Sequence, residues 1–238
     1  MRLRILLLPL AAAAALLAGC ATANPSTPPT PTSNGVEALS AQEILTKATG
    51  ALDAAKSYRL TGVFVDDGDK AELEMTVAGD NAKISIKSDI MNFEAIRFGG
   101  QTYLRADDLW EPLISLAVKD EAQRALAIAM IKGKYVTVPA DQQTMQKLVP
   151  KASEILEPEA GTFTKGAATT IDGKPVITLT DAKGNKLYVA TTGEPYPVRL
   201  ESATGETVNV VDIGVEAAVT APPAAEVVDV SKFGDIGL

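Results

Sequence analysis

The chain has no histidine and only one cysteine among its 238 residues. The absence of histidine removes the usual general base, the commonest zinc ligand and the Ser-His-Asp triad. A single cysteine cannot form a disulfide within the chain, so a hydrophobic core has to stabilise the fold. Aromatic residues make up only 5%, which argues against a carbohydrate site built from stacked rings. We therefore expect a binding protein without cofactor or metal rather than an enzyme.

Positive charge is also scarce, because the formal net charge is −8 and no run of lysine or arginine occurs. An acidic surface of this kind argues against nucleic acid and against polybasic contact with anionic headgroups. The acidic stretch Asp66–Asp69 could suggest calcium, but a calcium loop needs about twelve residues and a closing glutamate. We predict a polar hairpin tip there. A hydrolase that uses Asp or Glu stays open, although no pair of carboxylates has a spacing that demands one.

The N-terminal segment has the three parts of a secretory signal. Arg2 and Arg4 supply positive charge, and an apolar stretch of about 13 residues follows from Ile5 to Leu17. A membrane-spanning helix needs roughly 20 apolar residues, so this stretch is too short to span. Residues 1–19 are therefore predicted to be a signal peptide.

The signal ends in Leu17-Ala18-Gly19-Cys20, which resembles the bacterial lipobox. The resemblance implies cleavage before Cys20, a diacylglyceryl thioether on its Sγ and palmitate-like acylation of the new N-terminus. Two or three such chains hold a protein durably to a bilayer, at about 0.8 kcal/mol per buried methylene. The expected location is the outer face of the cell membrane. A plain secretion signal with an incidental cysteine is the alternative.

The segment after the signal has little to bury. Residues 20–36 hold the acylated cysteine and a stretch rich in proline, threonine and serine, which is typical of a disordered tether. The folded domain is predicted to cover residues 37–238. Loss of the two arginines of the signal lowers the net charge of the mature chain to −10.

The hydrophobic pattern of the domain predicts a helix followed by two blocks of strands with a helical insertion between them. Ser40 and Glu43 form a capping-box pattern before a helix that ends ahead of Ser57. Alternation of period two predicts strands separated by short turns. These strands are Tyr58–Val65, Ala71–Ala78, Lys83–Ser88, Asn92–Phe98, Gln101–Arg105, Phe163–Ile171, Lys174–Thr180, Lys186–Thr191, Pro197–Ser202 and Glu206–Ile213, with a short edge strand at Lys134–Pro139.

The insertion is predicted to be helical over Asp107–Lys132, Asp141–Leu148 and Lys151–Leu156. Charges at Lys119–Glu121 suggest a break, and the wide spread of apolar residues in Ala125–Ile131 suggests a helix covered on two sides. Short turns between alternating strands indicate consecutive antiparallel hairpins, and so wide a sheet curls. We predict an α+β fold, with a single curved antiparallel sheet of about 10–11 strands as a half-barrel. The helices would pack in or across its concave face and leave an apolar cavity.

The order of elements resembles LolA-like lipoprotein carriers and, more closely, the actinobacterial lipoproteins of the LprG/LppX type. The residues that carry the resemblance, over about residues 36–231, are the lipobox, Tyr58–Phe64, Trp110 after Tyr103-Leu104, Ile171–Val176, Leu187–Ala190, Pro195–Glu201 and Ala221–Pro223. The resemblance implies that the domain binds acylated lipids or glycolipids and carries them through the envelope. It allows an envelope transporter as a partner. The alternative is an RseB-like sensor or scaffold that binds a protein partner without transporting lipid.

The apolar residues of both layers are the candidates for a lipid cavity. Trp110 could be a gate or wall of the cavity, although a core anchor is the alternative. Each of the others could also be plain core, because any such fold needs apolar residues at these places. The candidates are Leu60, Phe64, Leu73, Met75, Ile84, Ile86, Phe93 and Ile96 from the sheet and Leu113, Leu116, Leu126 and Met130 from the helices.

Overall fold

The computed structural model describes residues 32–66, 69–139, 149–159 and 161–229. The predicted signal peptide, the lipobox with Cys20, most of the tether and the helix at Asp141–Leu148 lie outside these residues. So does the tip of the Asp66–Asp69 turn. Within the described ranges no helix is long and apolar enough to span a bilayer.

The strands of the described ranges form one twelve-stranded sheet in the order β12-β6-β5-β4-β3-β2-β1-β11-β10-β9-β8-β7. The α+β class and the single curved sheet are thereby confirmed. The strands are β1 (Ser57–Asp66), β2 (Asp69–Ala78), β3 (Asn81–Ser88), β4 (Asn92–Phe98), β5 (Gln101–Arg105), β6 (Tyr135–Val138), β7 (Thr164–Ile171), β8 (Lys174–Thr180), β9 (Lys186–Ala190), β10 (Pro197–Glu201), β11 (Thr207–Val211) and β12 (Val227–Val228).

Hairpins build most of the sheet, as the short turns predict. Asp66 pairs with Asp69 where β1 turns into β2, so this acidic turn is a hairpin. The pairing of β12 with β6 differs from the predicted antiparallel arrangement. These two strands run parallel, with Val227 opposite Tyr135. The chain reaches that edge through a long connection rather than a hairpin, which leaves it free to enter in either direction. We call the end of the sheet where β1 begins and β2 ends the lower end.

Within the described residues, four α-helices accompany the sheet: α1 (Ala41–Ala55), α2 (Asp107–Ala117), α3 (Glu121–Ile131) and the single turn α4 (Ala152–Ile155). The capping box is present, because the Glu43 amide donates to Ser40 Oγ at 3.4 Å and the Ser40 amide donates to Glu43 Oε2 at 2.9 Å. The predicted break after α2 is present too. Asp120 caps α3 by accepting a 2.8 Å hydrogen bond from the Gln123 amide.

Helix α1 lies against the concave face of the sheet. Its residues Ile44, Ala48 and Leu52 recur at helical spacing and are at most 1% exposed. They belong to the same buried cluster as Leu60 and Met75 of the sheet. Burial of this apolar stripe, at roughly 25 cal/mol for each Å² removed from water, holds the helix inside the curve.

Helix α3 is covered on one side only, so the prediction of two covered sides is wrong. Ala127 and Ile131 are buried against the core. Leu126 and Met130 are 63% and 44% exposed. The wide apolar spread in its sequence therefore leaves an uncovered face.

The chain joins the domain before the predicted boundary at residue 37. The Asn34 amide donates to Thr191 O at 2.7 Å, and its side-chain Nδ2 donates to Ala190 O at 3.1 Å. Val36 is only 2% exposed and belongs to the main core. Residues 33–36, which composition places in the tether, are packed on the domain by one buried valine and one asparagine.

Gly62 in β1 sits where the next strand comes too close for a side chain. A Cβ there would lie 2.7 Å from Thr207 O, a backbone atom that cannot swing away. We expect Gly62→Ala to lower the free energy of unfolding by about 1–3 kcal/mol. The measurement is urea denaturation followed by circular dichroism.

Gly50→Ala is the matched control for Gly62→Ala. Gly50 lies inside α1, and its added Cβ would meet nothing within 4 Å. Alanine favours a helix over glycine by about 0.5–1 kcal/mol, so this variant should be as stable as the wild type or more so. Equal effects of the two substitutions would contradict the close approach at Gly62.

Candidate functional site

A pocket of about 690 Å³ opens at the lower end of the sheet. It lies between the end of α1, the β2–β3 and β4–β5 turns, and the residues just before α4. The β2–β3 turn is held to the end of α1, since the Gly79 amide donates to Lys56 O at 2.6 Å. We call this opening the lower pocket. Its lining residues are Leu52, Asp53, Lys56, Tyr58, Val77, Gly79, Asp80, Arg97, Gly100, Pro150 and Lys151.

The floor of the lower pocket is apolar. Leu52, Tyr58 and Val77 are 1%, 3% and 8% exposed. Tyr58 and Val77 share a face because they stand directly opposite each other on β1 and β2. The volume falls within the roughly 300–1,000 Å³ that is usual for small-molecule sites.

The rim of the lower pocket is charged, and one charge lies deeper than the others. Asp53, Lys56, Asp80 and Lys151 are exposed, whereas Arg97 is half-buried. Among the residues described here, none of these five side chains forms an ion pair. The pocket thus carries a net charge of +1 on a chain whose formal net charge is −8.

Backbone carbonyls orient Arg97. Its Nη1 donates to Val149 O at 2.5 Å and its Nε donates to Asp80 O at 3.3 Å. Carbonyls fix the guanidinium without neutralising its charge. Among the described residues, three of the five N–H donors of the Arg97 side chain remain for another acceptor.

Tyr58 brings a neutral hydroxyl to the same place. Its pKa is raised to about 12, mainly by burial and also by the charge of Asp53, while the charge of Arg97 acts to lower it. The phenol is therefore protonated at any physiological pH. Within the described part of the chain, its hydroxyl makes no hydrogen bond, and its oxygen is not one of the fully buried polar atoms there that lack a partner.

A second pocket, of about 490 Å³, lies between α2 and α3 and is lined in part by Trp110. The tryptophan is 5% exposed, and its buried Nε1 has no hydrogen-bond partner among the described residues. It also belongs to the main core. Trp110 is accordingly both a core anchor and a pocket wall.

The helix residues predicted to line a cavity lie on the outer surface instead. Leu113, Leu116, Leu126 and Met130 are 43%, 73%, 63% and 44% exposed. The inward faces of α2 and α3 are already occupied by Trp110, Ile114, Ala127 and Ile131, which are buried in the core. The exposed residues Leu109 (39% exposed), Leu113, Leu116, Leu126 and Met130 together form what we call the outer helix face.

The sheet residues predicted to line a cavity are mostly core. Ile96 is an exception, because it packs with Tyr135 and Val219 in a separate cluster. Its neighbour Ala95 points into the concave core, so strand alternation turns Ile96 the other way. None of the candidates lines the lower pocket. Leu60, Met75, Ile84 and Phe93 are buried in the main cluster, Leu73 and Ile86 pack partly buried against it, and Phe64 is half-buried.

The residues that do line the lower pocket gave weak signals in the sequence. Leu52 and Val77 read as ordinary apolar positions of a helix and a strand. Arg97 sits at an inward position of β4, in register with Ala82. The signal that the sequence did offer was Arg97 itself, a cation at a position of an alternating strand where an apolar residue is expected.

The carboxylate of Glu94 has three side-chain partners and lies away from the lower pocket. Glu94 accepts from Lys83 Nζ at 2.9 Å, from Arg105 Nη2 at 3.3 Å and from the Tyr135 hydroxyl. These partners, from β3, β5 and β6, satisfy the carboxylate within the sheet. Among the described residues no group of three or more His, Cys, Asp or Glu could hold a metal ion.

Comparison with known proteins assigns the chain to no family. No family model matches it, and no curated protein matches its sequence. It is similar to the crystal structure of an uncharacterized conserved protein from Thermus thermophilus, at 11% identity and a TM-score of 0.43, covering 79% of this chain and 98% of that one. It is also similar to MucB in complex with MucA(peri), at 14% identity and a TM-score of 0.38, covering 76% of this chain and 59% of that one. Similarity at this level carries no functional inference, and the LprG/LppX assignment stays a prediction.

The raised pKa of Tyr58 predicts a change of stability in alkali. An unfolded tyrosine has a pKa of about 10, so the folded state holds its proton more tightly. The stability that the folded protein gains from this difference in pKa is complete below about pH 10. It is lost as the pH rises towards the folded-state pKa of about 12. We expect the free energy of unfolding of the wild type to fall more steeply above about pH 10 than that of Tyr58→Phe.

Urea denaturation at neutral pH and across the alkaline range measures this difference. Stabilities at pH 7 supply the baseline for each protein, so that loss of the hydroxyl itself is removed from the comparison. Parallel decreases of the two free energies with pH would contradict the burial of Tyr58.

Proposed function

We propose that the protein is a lipoprotein anchored at the outer face of the cell membrane through Cys20, with a domain that binds an acylated lipid or glycolipid in the lower pocket. The observation that carries the proposal is the apolar floor of that pocket, formed by Leu52, Tyr58 and Val77 under an opening of about 690 Å³. An amphiphile suits such a site, since its chain has an apolar surface and its headgroup a charged rim.

The proposed anchor keeps the domain near its source of lipid. The described chain begins at Thr32, about a dozen residues after Cys20. At about 3.1 Å per residue in an extended conformation these reach roughly 40 Å. A domain tethered so closely meets the membrane surface at a high effective concentration.

Binding rather than catalysis is part of the proposal. The chain has no histidine, and the carboxylates at the lower pocket, Asp53 and Asp80, are both exposed. An acyl chain leaves a bilayer at a cost that grows with every methylene exposed to water. Contact of the acyl chain with the apolar floor of the pocket offsets part of that cost. A lipid carrier has to offset this cost in order to take up its ligand.

A scaffold that binds a protein partner is the second candidate function. The outer helix face favours it, because Leu116 and Leu126 are 73% and 63% exposed. Isolated exposed apolar residues are common on soluble proteins, but a group on two adjacent helices is typical of an interaction surface. This function requires no ligand in the lower pocket.

A substitution that fills the lower pocket tests the lipid proposal. We expect Val77→Phe to weaken binding of a fluorescent monoacylglycerol by roughly tenfold or more, which corresponds to about 1.4 kcal/mol. The chain used runs from Ala21 to Leu238, so that every described residue is kept. Fluorescence titration gives the dissociation constant, and the urea midpoint shows that the variant is folded.

Val63→Phe is the matched control, because Val63 lies on the same pair of strands but is 46% exposed on the outer face. It should bind the probe as the wild type does. A wild type that binds no monoacylglycerol, or a Val77→Phe variant that binds it unchanged, would count against the lower pocket and favour the scaffold.

A further inference from the structure

The lower pocket has a polar centre whose partners are missing within the described part of the protein. Arg97 has no carboxylate partner there, and the hydroxyl of Tyr58 has no hydrogen bond. Tyr58 is 3% exposed and lines the pocket. Because Tyr58 lines the pocket, its hydroxyl can donate a hydrogen bond to an oxygen atom of a ligand there.

The depth of each charge indicates which sign of ligand the pocket favours. The acidic residues Asp53 and Asp80 are exposed, so water and salt screen them. Arg97 is half-buried beside the apolar floor, where the effective dielectric constant is lower and its field is stronger. Exposed Lys56 and Lys151 add positive charge at the rim.

We propose that the lower pocket selects amphiphiles with an anionic headgroup, a carboxylate or a phosphate, which Arg97 binds through its free N–H donors while the Tyr58 hydroxyl donates a further hydrogen bond. The apolar part of the ligand lies against Leu52 and Val77. The inference rests on the proposed function and adds the charge of the ligand to it. A planar guanidinium fits carboxylate and phosphate oxygens in pairs, which makes Arg97 the specificity-determining residue.

Ligands with one chain and different headgroups test the inference. Laurate, dodecyl phosphate and dodecanol each displace the fluorescent monoacylglycerol, below their aggregation concentrations, from the chain Ala21–Leu238. We expect both anions to bind at least roughly tenfold more tightly than dodecanol, as charge-assisted hydrogen bonds imply. Arg97→Gln should abolish that preference by weakening both anions towards the affinity of dodecanol.

Three further variants keep the experiment decisive. Arg59→Gln removes the same charge from the outer face, where Arg59 pairs with Glu74 and Asp212, and should keep the preference. Arg97→Lys keeps the positive charge but lacks the paired N–H donors of the planar guanidinium. It should retain part of the preference even if Arg97→Gln is poorly folded. Tyr58→Phe should weaken both anions by roughly threefold to tenfold, the value of one hydrogen bond.

The outcomes separate this inference from the proposed function. Tight binding of all three ligands without a preference for the anions would overturn the inference and leave the lipid proposal standing, as would a preference that survives in Arg97→Gln. Absence of binding for every ligand would overturn both. Inorganic phosphate alone serves as the remaining probe; binding as tight as that of dodecyl phosphate would indicate a free-anion site and overturn the selection of an amphiphile.

Discussion

The packing of α1 into the concave face is the contact on which the rest of the structure depends. A sheet of twelve strands curls because each strand twists. The curl leaves an apolar concave surface that water would otherwise cover. Ile44, Ala48 and Leu52 fill its centre and are at most 1% exposed. The capping box at Ser40 fixes where this helix starts, and therefore which residues reach the sheet.

One helix cannot cover so wide a face, and the lower pocket follows from that mismatch. Helix α1 ends at Ala55, beside the turns of two hairpins. The apolar floor continues beyond the helix through Tyr58 and Val77, so part of it lines an opening of about 690 Å³. Arg97 enters the same opening from β4, and within the described residues this cation beside the apolar surface has no ion-pair partner. A ligand with an acidic head and an apolar chain complements both features.

Pattern in the sequence predicted the elements better than the site. Alternation and turn residues gave the hairpins, since both act between neighbours in the chain. The parallel pairing of β12 with β6 joins residues such as Val227 and Tyr135, which no local pattern connects. Leu126 was predicted to line a cavity because it is apolar; whether an apolar side chain of α3 faces inward depends on how the helix sits against its neighbours. The lower pocket was missed because its polar centre, Arg97 with Tyr58, forms only when separate strands meet.

Native mass spectrometry of the full-length protein, taken from the membranes of its own host, examines the anchor and the pocket together. We expect a chain that begins at an acylated Cys20 and carries one non-covalently bound acylated lipid. The lipid should be absent from Val77→Phe prepared in the same way. A protein that starts at an unmodified residue and carries no lipid would contradict both the anchor and the pocket.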